Sequence, residues 1–423
     1  MTGSLSNISK ISHGNTAAWV RLQSAPADVA TEMRAQPATW WSAQADQISK
    51  TWLETGLPST RLEDWKYTSL ASFHSKARTA GLGGIAVAAP NGVQVLRLSE
   101  VDRGAKLSDA DRTTIREMLS SRENVFFENM AKSLVADPVV IVVPAKYASE
   151  QAIEINWRGL PDGQWGFGVA AVLIGEGASV SLVEKYGAGS DAQTHSTILR
   201  ICRGAKLSHL RLQTGESRVG SGFVMSSTHA RVMADANYQN AQVSFGSQLS
   251  REDLVVELCE AGAETVTDGV FIGRSAQLLD HHTNLIHRVG NTTSRQIYKG
   301  VLADEARGVF NGRIAISKNA SGSHSSQMNK NLLLSRKVEL DTKPQLEIDN
   351  DDVKAAHGAA IGRLDPEHIF YLRSRGIEMS QAVEILARGF ANEAVQRLDS
   401  SALRSAGIAA IERGLSGLSW EAL

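Results

Sequence analysis

"LIGEGASVSL" (173–182), "ICRGAKLSHL" (201–210) and "LCEAGAETVT" (258–267) share one pattern. An apolar run reaches a corner, a Gly-Ala pair follows, and a second run begins. The pairs are Gly177-Ala178, Gly204-Ala205 and Gly262-Ala263. Their separations, 204 − 177 = 27 and 262 − 204 = 58, are close to one and two units of a single period. A strand–corner–strand unit recurring at such a period cannot bury its apolar face alone, so units must stack. That points to a β-solenoid rather than a sandwich.

The same texture extends on both sides. From about 138 to 350, short runs rich in Val, Ile, Leu and Thr alternate with Gly, Asn, Asp and Ser. "PVVIVVP" (138–144), "STILRICRG" (196–204) and "GVFNGRIAIS" (308–317) read as strands bounded by turns. The flanks differ. "TWWSAQADQISKTWLETG" (39–56) places Trp41, Ala45, Ile48 and Trp52 at helical spacing and stops at Gly56-Leu57-Pro58. "SRENVFFENMAKSL" (121–134) predicts a helix with Val125, Phe126, Met130 and Leu134 inward. Between them, in "STRLEDWKYTSL" (59–70), Trp65 and Tyr67 read as anchors that pack a loop onto the core.

The last segment returns to helix. In "LDPEHIFYLRSRGIE" (364–378), Asp365 suits an N-cap, Pro366 the first helical position and Gly376 the C′ position. Val383, Leu386, Phe390 and Ala394 then form one stripe, and Leu403, Ile408 and Ile411 another. Such a unit either packs on its own solenoid or receives a partner. The domain reading is 1–137 N-terminal helical region, 138–362 solenoid core and 363–423 C-terminal helical domain.

Composition excludes several classes. Net charge is 44 − 45 = −1, so no polyanion is held by bulk electrostatics and nucleic acid is not an expected partner. The two cysteines, Cys202 and Cys259, form no C-x-x-C pair, which argues against a disulfide framework or a self-contained metal site. Each follows an aliphatic residue and reads as buried and inert. Residues 1–25 lack an unbroken apolar core of a signal segment, and no run is long enough to span a bilayer. A cytoplasmic protein without membrane partners is expected. Neither the Gly175–Gly177 nor the Gly187–Ser190 stretch has the lysine of a P-loop, and Gly-x-Ser-x-Gly is absent.

Three polar clusters remain. In "LDHHTNLIH" (279–287), His281 and His287 are six apart on one strand face and read as packing rather than metal ligands. In "SHSSQMNKNLLLS" (323–335), Gln327, Asn329 and Asn331 share a face, and their amides suit hydrogen bonding between coils. "EIDNDDVKAAHGAAIG" (347–362) places Glu347, Asp349 and Asp351 in alternation, as on one face of a strand, followed by His357 among small neighbours. Carboxylates so arranged read either as a solvated edge or as acid/base groups of a β-helix glycosidase. His357 is a prominent imidazole, able to ligate a metal only with ligands from elsewhere.

"RQIYKGVLADEARGVFNGRIAI" (295–316), followed by residues 327–377 with His357-Gly358-Ala359, resembles the SufB/SufD family of iron–sulfur cluster assembly proteins, on its SufD side. The resemblance is nearly continuous from Gln277 to Phe390. Weaker stretches lie at Arg61–Tyr67 and Glu123–Phe126. It implies a mainly β fold: a right-handed parallel β-helix flanked by N-terminal and C-terminal α-helical domains. It also implies a non-enzymatic scaffold that pairs with SufB through the β-helices and presents its C-terminal domain to SufC, an ABC-type ATPase, with a homodimer possible when alone. His357 corresponds to the family's functional histidine, a ligand to a transient, nascent iron–sulfur cluster shared with SufB; no cofactor is held tightly. Phe370, Tyr371, Arg373, Val383, Leu386 and Phe390 are the expected contacts of the SufC-docking unit. One departure stands out. Many relatives carry cysteine two residues before the histidine, where this chain has Ala355. Two rivals remain: a polysaccharide-active β-helix enzyme, and a purely structural partner of SufB that never touches iron.

Overall fold

The computed structural model describes residues 39–74, 79–82, 84–103, 107–120, 125–135, 137–161, 163–187, 192–215, 222–418 and 420. The signal-segment reading of residues 1–25 and the Glu123-Asn124 resemblance lie outside them. The chain is mainly β, a solenoid of about seven turns with helices at both termini. Strands alternate between two sheets. One sheet runs from Gln94–Arg97 and Val139–Val143 through every second strand to Glu339–Ile348. The other runs from Gly84–Ala88 and Ile153–Arg158 to Val353–Gly362. Pairing between successive coils is parallel and in register, as in Lys206↔Asn237 and Asn237↔Glu264.

The glycine corners are left-handed. Gly177, Gly204 and Gly262 have φ of +63, +65 and +76°. Two further corners continue the same ladder without glycine: Asp235 and Asn291, both at +56°. Each corner N–H donates to the next coil: Gly204 to Ala234, Asp235 to Ala261, Gly262 to Asn291, at 2.9, 3.2 and 2.9 Å. Asp and Asn tolerate this conformation better than other side chains, so they substitute where Gly is missing. The 58-residue gap is thus two units with Asp235 between them.

Along the middle of the solenoid both faces of both sheets are covered, so many strands are buried throughout rather than alternating. Inside the coil, Val172, Leu199, Val256, Leu285 and Ile314 stack beside Val180 and Leu207. Outside, Trp165, Phe167, Phe223 and Met225 of the first sheet pack on the N-terminal region: α1 (Thr39–Thr55), α2 (Asp109–Ser120) and α3 (Phe126–Leu134). Trp41 and Ile48 of α1 are buried there as the spacing predicts. In α3 the inward residue is Phe127 rather than Phe126, with Met130 and Ala131 at i+3 and i+4, and a buried Lys132–Glu128 pair beside them. The N-terminal region is less helical than expected. It contributes Thr79–Leu82, Gly84–Ala88 and Gln94–Arg97, and the last two pair antiparallel with the first rungs. Edge pairing, not local periodicity, makes these short segments strands.

The outer face of the second sheet is covered by the C-terminal helices α4 (Pro366–Ser374), α5 (Met379–Asn392) and α6 (Ser401–Leu415). Asp365 caps α4 by accepting from Glu367 N at 2.8 Å, Pro366 follows it, and Gly376 stands at φ +82°. Val383, Ala387, Leu403 and Ile411 bury against Leu210, Val243, Val270 and Val301.

Candidate functional site

The strands Glu339–Ile348 and Val353–Gly362 close the two sheets at the C-terminal end, and each pairs on one side only. Their outer edges form an open rim. In-register parallel pairing keeps partners on one face. Gln327 lies in the lumen and pairs with His357, so His357 also points to the lumen, at its mouth. By the same rule Val353, Ala355, Ala359 and Ile361 face inward. Ile361 is 55% exposed and Ile348 43%, because no further rung covers them. An uncovered sheet edge with apolar lumen residues is a template for another chain's strands.

The acidic run is arranged differently from the sequence expectation. The strand ends at Ile348, so Asp349 and Asp351 sit in the turn before Val353 and do not alternate with Glu347 on a strand face. The Asp-Asn-Asp-Asp composition favours turn over ladder here. Asn350 and Asp352 hold the turn: Asn350 donates to Lys318 O at 2.6 Å, and Ser321 donates to the Asp352 carboxylate. Glu347 pairs with Arg313, whose bond holds its carboxyl below the usual range. Among the described residues no three His, Cys, Asp or Glu side chains converge into a metal-holding group. The carboxylates and His357 are therefore separate features, and His357 stands as a single ligand-type side chain.

Deeper in the lumen the polar groups are sealed. Arg211, wholly buried, donates to Glu252 and, at 3.0 Å, to Tyr186. Burial alone would raise the Glu184 carboxyl, but His209, Trp157 and Thr197 bond to or lie against it, and it is held down to about 2. His281 stacks on Phe271 at 5.0 Å, and burial pushes it down to about 3; His287, bonded to Thr292 and Ser294, is lowered to about 4. These two histidines share one strand face, as the spacing predicts, and pack there; that face is the lumen. Gln327, Asn329 and Asn331 bond to Gln296, Tyr298 O and Asn329 at 2.6, 3.1 and 2.6 Å. None of the Arg211, Glu184 or His281 positions was legible as lumenal, because strands buried on both faces carry no in–out alternation. Both cysteines are half-buried rather than fully so, and burial raises both thiols, Cys259 to about 11.

The loop with Trp65 is fastened to the first sheet. The Arg251 guanidinium lies 3.8 Å over the Trp65 ring and donates to Asp64 O at 2.6 Å, while Thr68 bonds Asp280. Tyr67 is only half-buried. The C-terminal contacts divide into two groups. Val383 is buried against the solenoid, Leu386 is half-buried and Phe390 lies under Lys299 at 4.2 Å, so this stripe faces the chain's own sheet. Val383 offers no surface to a partner, a correction to its expected contact role. Phe370 and Tyr371 are 75% and 57% exposed on α4, with Arg373 beside them.

Fold and site together define a β-solenoid whose ligand-type side chain sits on an unfinished end rather than in a closed cleft. Residues 162–390 match the family described as SUF system FeS cluster assembly, SufBD core domain. The chain belongs to the SufBD family. It is 28% identical to the iron–sulfur cluster assembly protein SufD of Escherichia coli, covering 89% of this chain and 93% of that one. It is 27% identical to a SufBD family protein of Mycobacterium tuberculosis, over 85% and 89% of the two chains. Protein ABCI7, chloroplastic, of Arabidopsis thaliana is 30% identical over 55% of this chain and 50% of its own. No described helix is long and apolar enough to cross a membrane.

Proposed function

We propose that this chain is a cytoplasmic, non-enzymatic scaffold subunit for iron–sulfur cluster assembly. It pairs through its open rim with a SufB-type subunit and receives a SufC-type ATPase on the exposed face of α4. One observation carries the reading: His357 ends its polar lumen column on a strand whose outer edge is unpaired. A lone imidazole holds iron weakly, and Ala355 supplies no thiolate beside it, so the remaining ligands come from the partner. The nascent cluster is cargo at the junction, not a resident group. ATP-driven pairing of two SufC-type subunits, one on each member of the heterodimer, pulls on both helical units and opens that junction. It can do so because it favours one of the two arrangements over the other.

Phe370 and Tyr371 supply the apolar anchor for the ATPase, with Arg373 at its edge. The buried stripe of α5 holds the unit onto the solenoid so that the pull reaches the rim. Native mass measurement after anaerobic co-expression with SufB- and SufC-type subunits checks the assembly. A complex containing all three is expected. Turnover of a pectin-like polymer by the isolated chain at a useful rate would instead favour the glycosidase rival.

A further inference from the structure

One polar column runs down the lumen beneath His357. In-register pairing stacks His209, Asn240, Thr267, Gln296, Gln327 and His357 in that order. Below the rim the amide orientations are fixed by their bonds. Gln296 donates from Nε2 to Thr267 Oγ1 at 3.1 Å, and its Oε1 accepts from the Thr283 hydroxyl at 3.1 Å. The same Oε1 accepts Gln327 Nε2 at 2.6 Å. Gln327 therefore has its donor committed inward and its Oε1 left over. That oxygen is buried with no hydrogen-bond partner among the described residues, on a side chain only 2% exposed. Across the lumen, a Cβ on Gly312 would collide with this amide, so the glycine makes the cradle it occupies. The next side chain along the column is His357, which brings an N–H donor.

We propose that Gln327 is a positioning residue for His357. The exposed His357 ring turns inward so that this free Oε1 accepts one ring N–H, which fixes the tautomer and leaves the other nitrogen's lone pair towards the rim. Imidazoles that ligate metals ordinarily have their second ring nitrogen held in this way. An amide does it without adding charge or exchanging a proton of its own. The proposal rests on the reading of His357 as a cluster ligand for its purpose, but the coupling itself needs no iron.

The test uses the full chain labelled with ¹⁵N-histidine, at about pH 9, where unperturbed imidazoles are neutral. Two-bond ¹⁵N–¹H correlations report the tautomer, and the His357→Ala spectrum assigns the ring signals. Wild type should show a single tautomer at His357. Gln327→Leu should show a mixture of both, like that of the exposed His324 and His368, and Gln327→Glu, which keeps an acceptor, should restore one form. A wild-type His357 with the same mixture as His324 overturns the proposal, whether or not the variants fold. In the assembled complex, Gln327→Leu should lower cluster yield about tenfold to a hundredfold. Normal yield from a His357→Ala complex would sink the ligand reading and leave the tautomer result standing.

Discussion

In the middle of the solenoid, around Arg211 and Glu184, the lumen is polar and sealed; at the C-terminal mouth, around His357, the lumen-facing positions carry one imidazole among alanines and aliphatic side chains, and they are open. The middle holds charges at positions with essentially no exposure, and they survive because each finds an opposite charge or a hydrogen-bond partner. The rim holds one imidazole, Ala355, Ala359 and two isoleucines with nothing stacked on them. The same column geometry thus gives packing in one place and an incomplete site in the other. What differs is whether another rung follows.

Breaking the middle should cost stability and leave the rim's task alone. Arg211→Met leaves Glu252 buried without its cation. We expect a loss of about 3–5 kcal/mol in urea unfolding, against about 0.5 kcal/mol or less for His357→Ala. Equal losses at the two positions would erase the distinction between sealed and open lumen.

Breaking the rim should do the reverse. Ile361→Lys puts a cation near the C-terminal end of the uncovered edge strand. Affinity for a SufB-type partner should fall by about 2 kcal/mol or more, roughly thirtyfold, with an unchanged melting temperature. Titration calorimetry beside thermal unfolding separates the two effects, and undiminished affinity would place pairing elsewhere.

Acid should sharpen the contrast. His281 is lowered to about 3 by burial, from an ordinary 6.5. The unfolded chain therefore takes up this proton before the folded chain does. The contribution is fully present above about pH 6.5 and is lost as pH falls towards 3, at about 1.4 kcal/mol per pH unit. His281→Phe, stacked on Phe271 as the imidazole is, should flatten the stability–pH curve by that slope in this window. An unchanged slope would mean that the imidazole is not sealed.

The smallest effect concerns the corners. Gly204 has φ +65° and open space around a built Cβ, so Gly204→Ala meets backbone strain alone. About 1 kcal/mol of destabilisation is expected, and chemical denaturation would detect its absence.

Much of the architecture was legible because glycine corners are conspicuous. Gly177, Gly204 and Gly262 announce a period. Asp235 and Asn291 do the same job in the same conformation but do not look like glycine, so the period reads as irregular. A search for Gly, Asn or Asp at that spacing would have found them. The helix caps at Asp365 and Gly376 were readable because capping is local chemistry. Phe127 was missed in favour of Phe126 because adjacent aromatics leave the helix phase open until Trp65 and Trp165 pack on one of them. The acidic run misled because alternation was counted past Ile348, where turn chemistry takes over. His357 was readable as prominent, but its place at the mouth of a polar column depends on register, which no single strand encodes.

The central claim is that metal chemistry happens at the rim and nowhere inside. Iron and acid-labile sulfide should be measured per complex after anaerobic assembly with SufB- and SufC-type subunits, for wild type and for His357→Ala at equal subunit stoichiometry. Iron and sulfide should fall together in the variant while the complex stays whole. A whole complex with a full complement of both would contradict it.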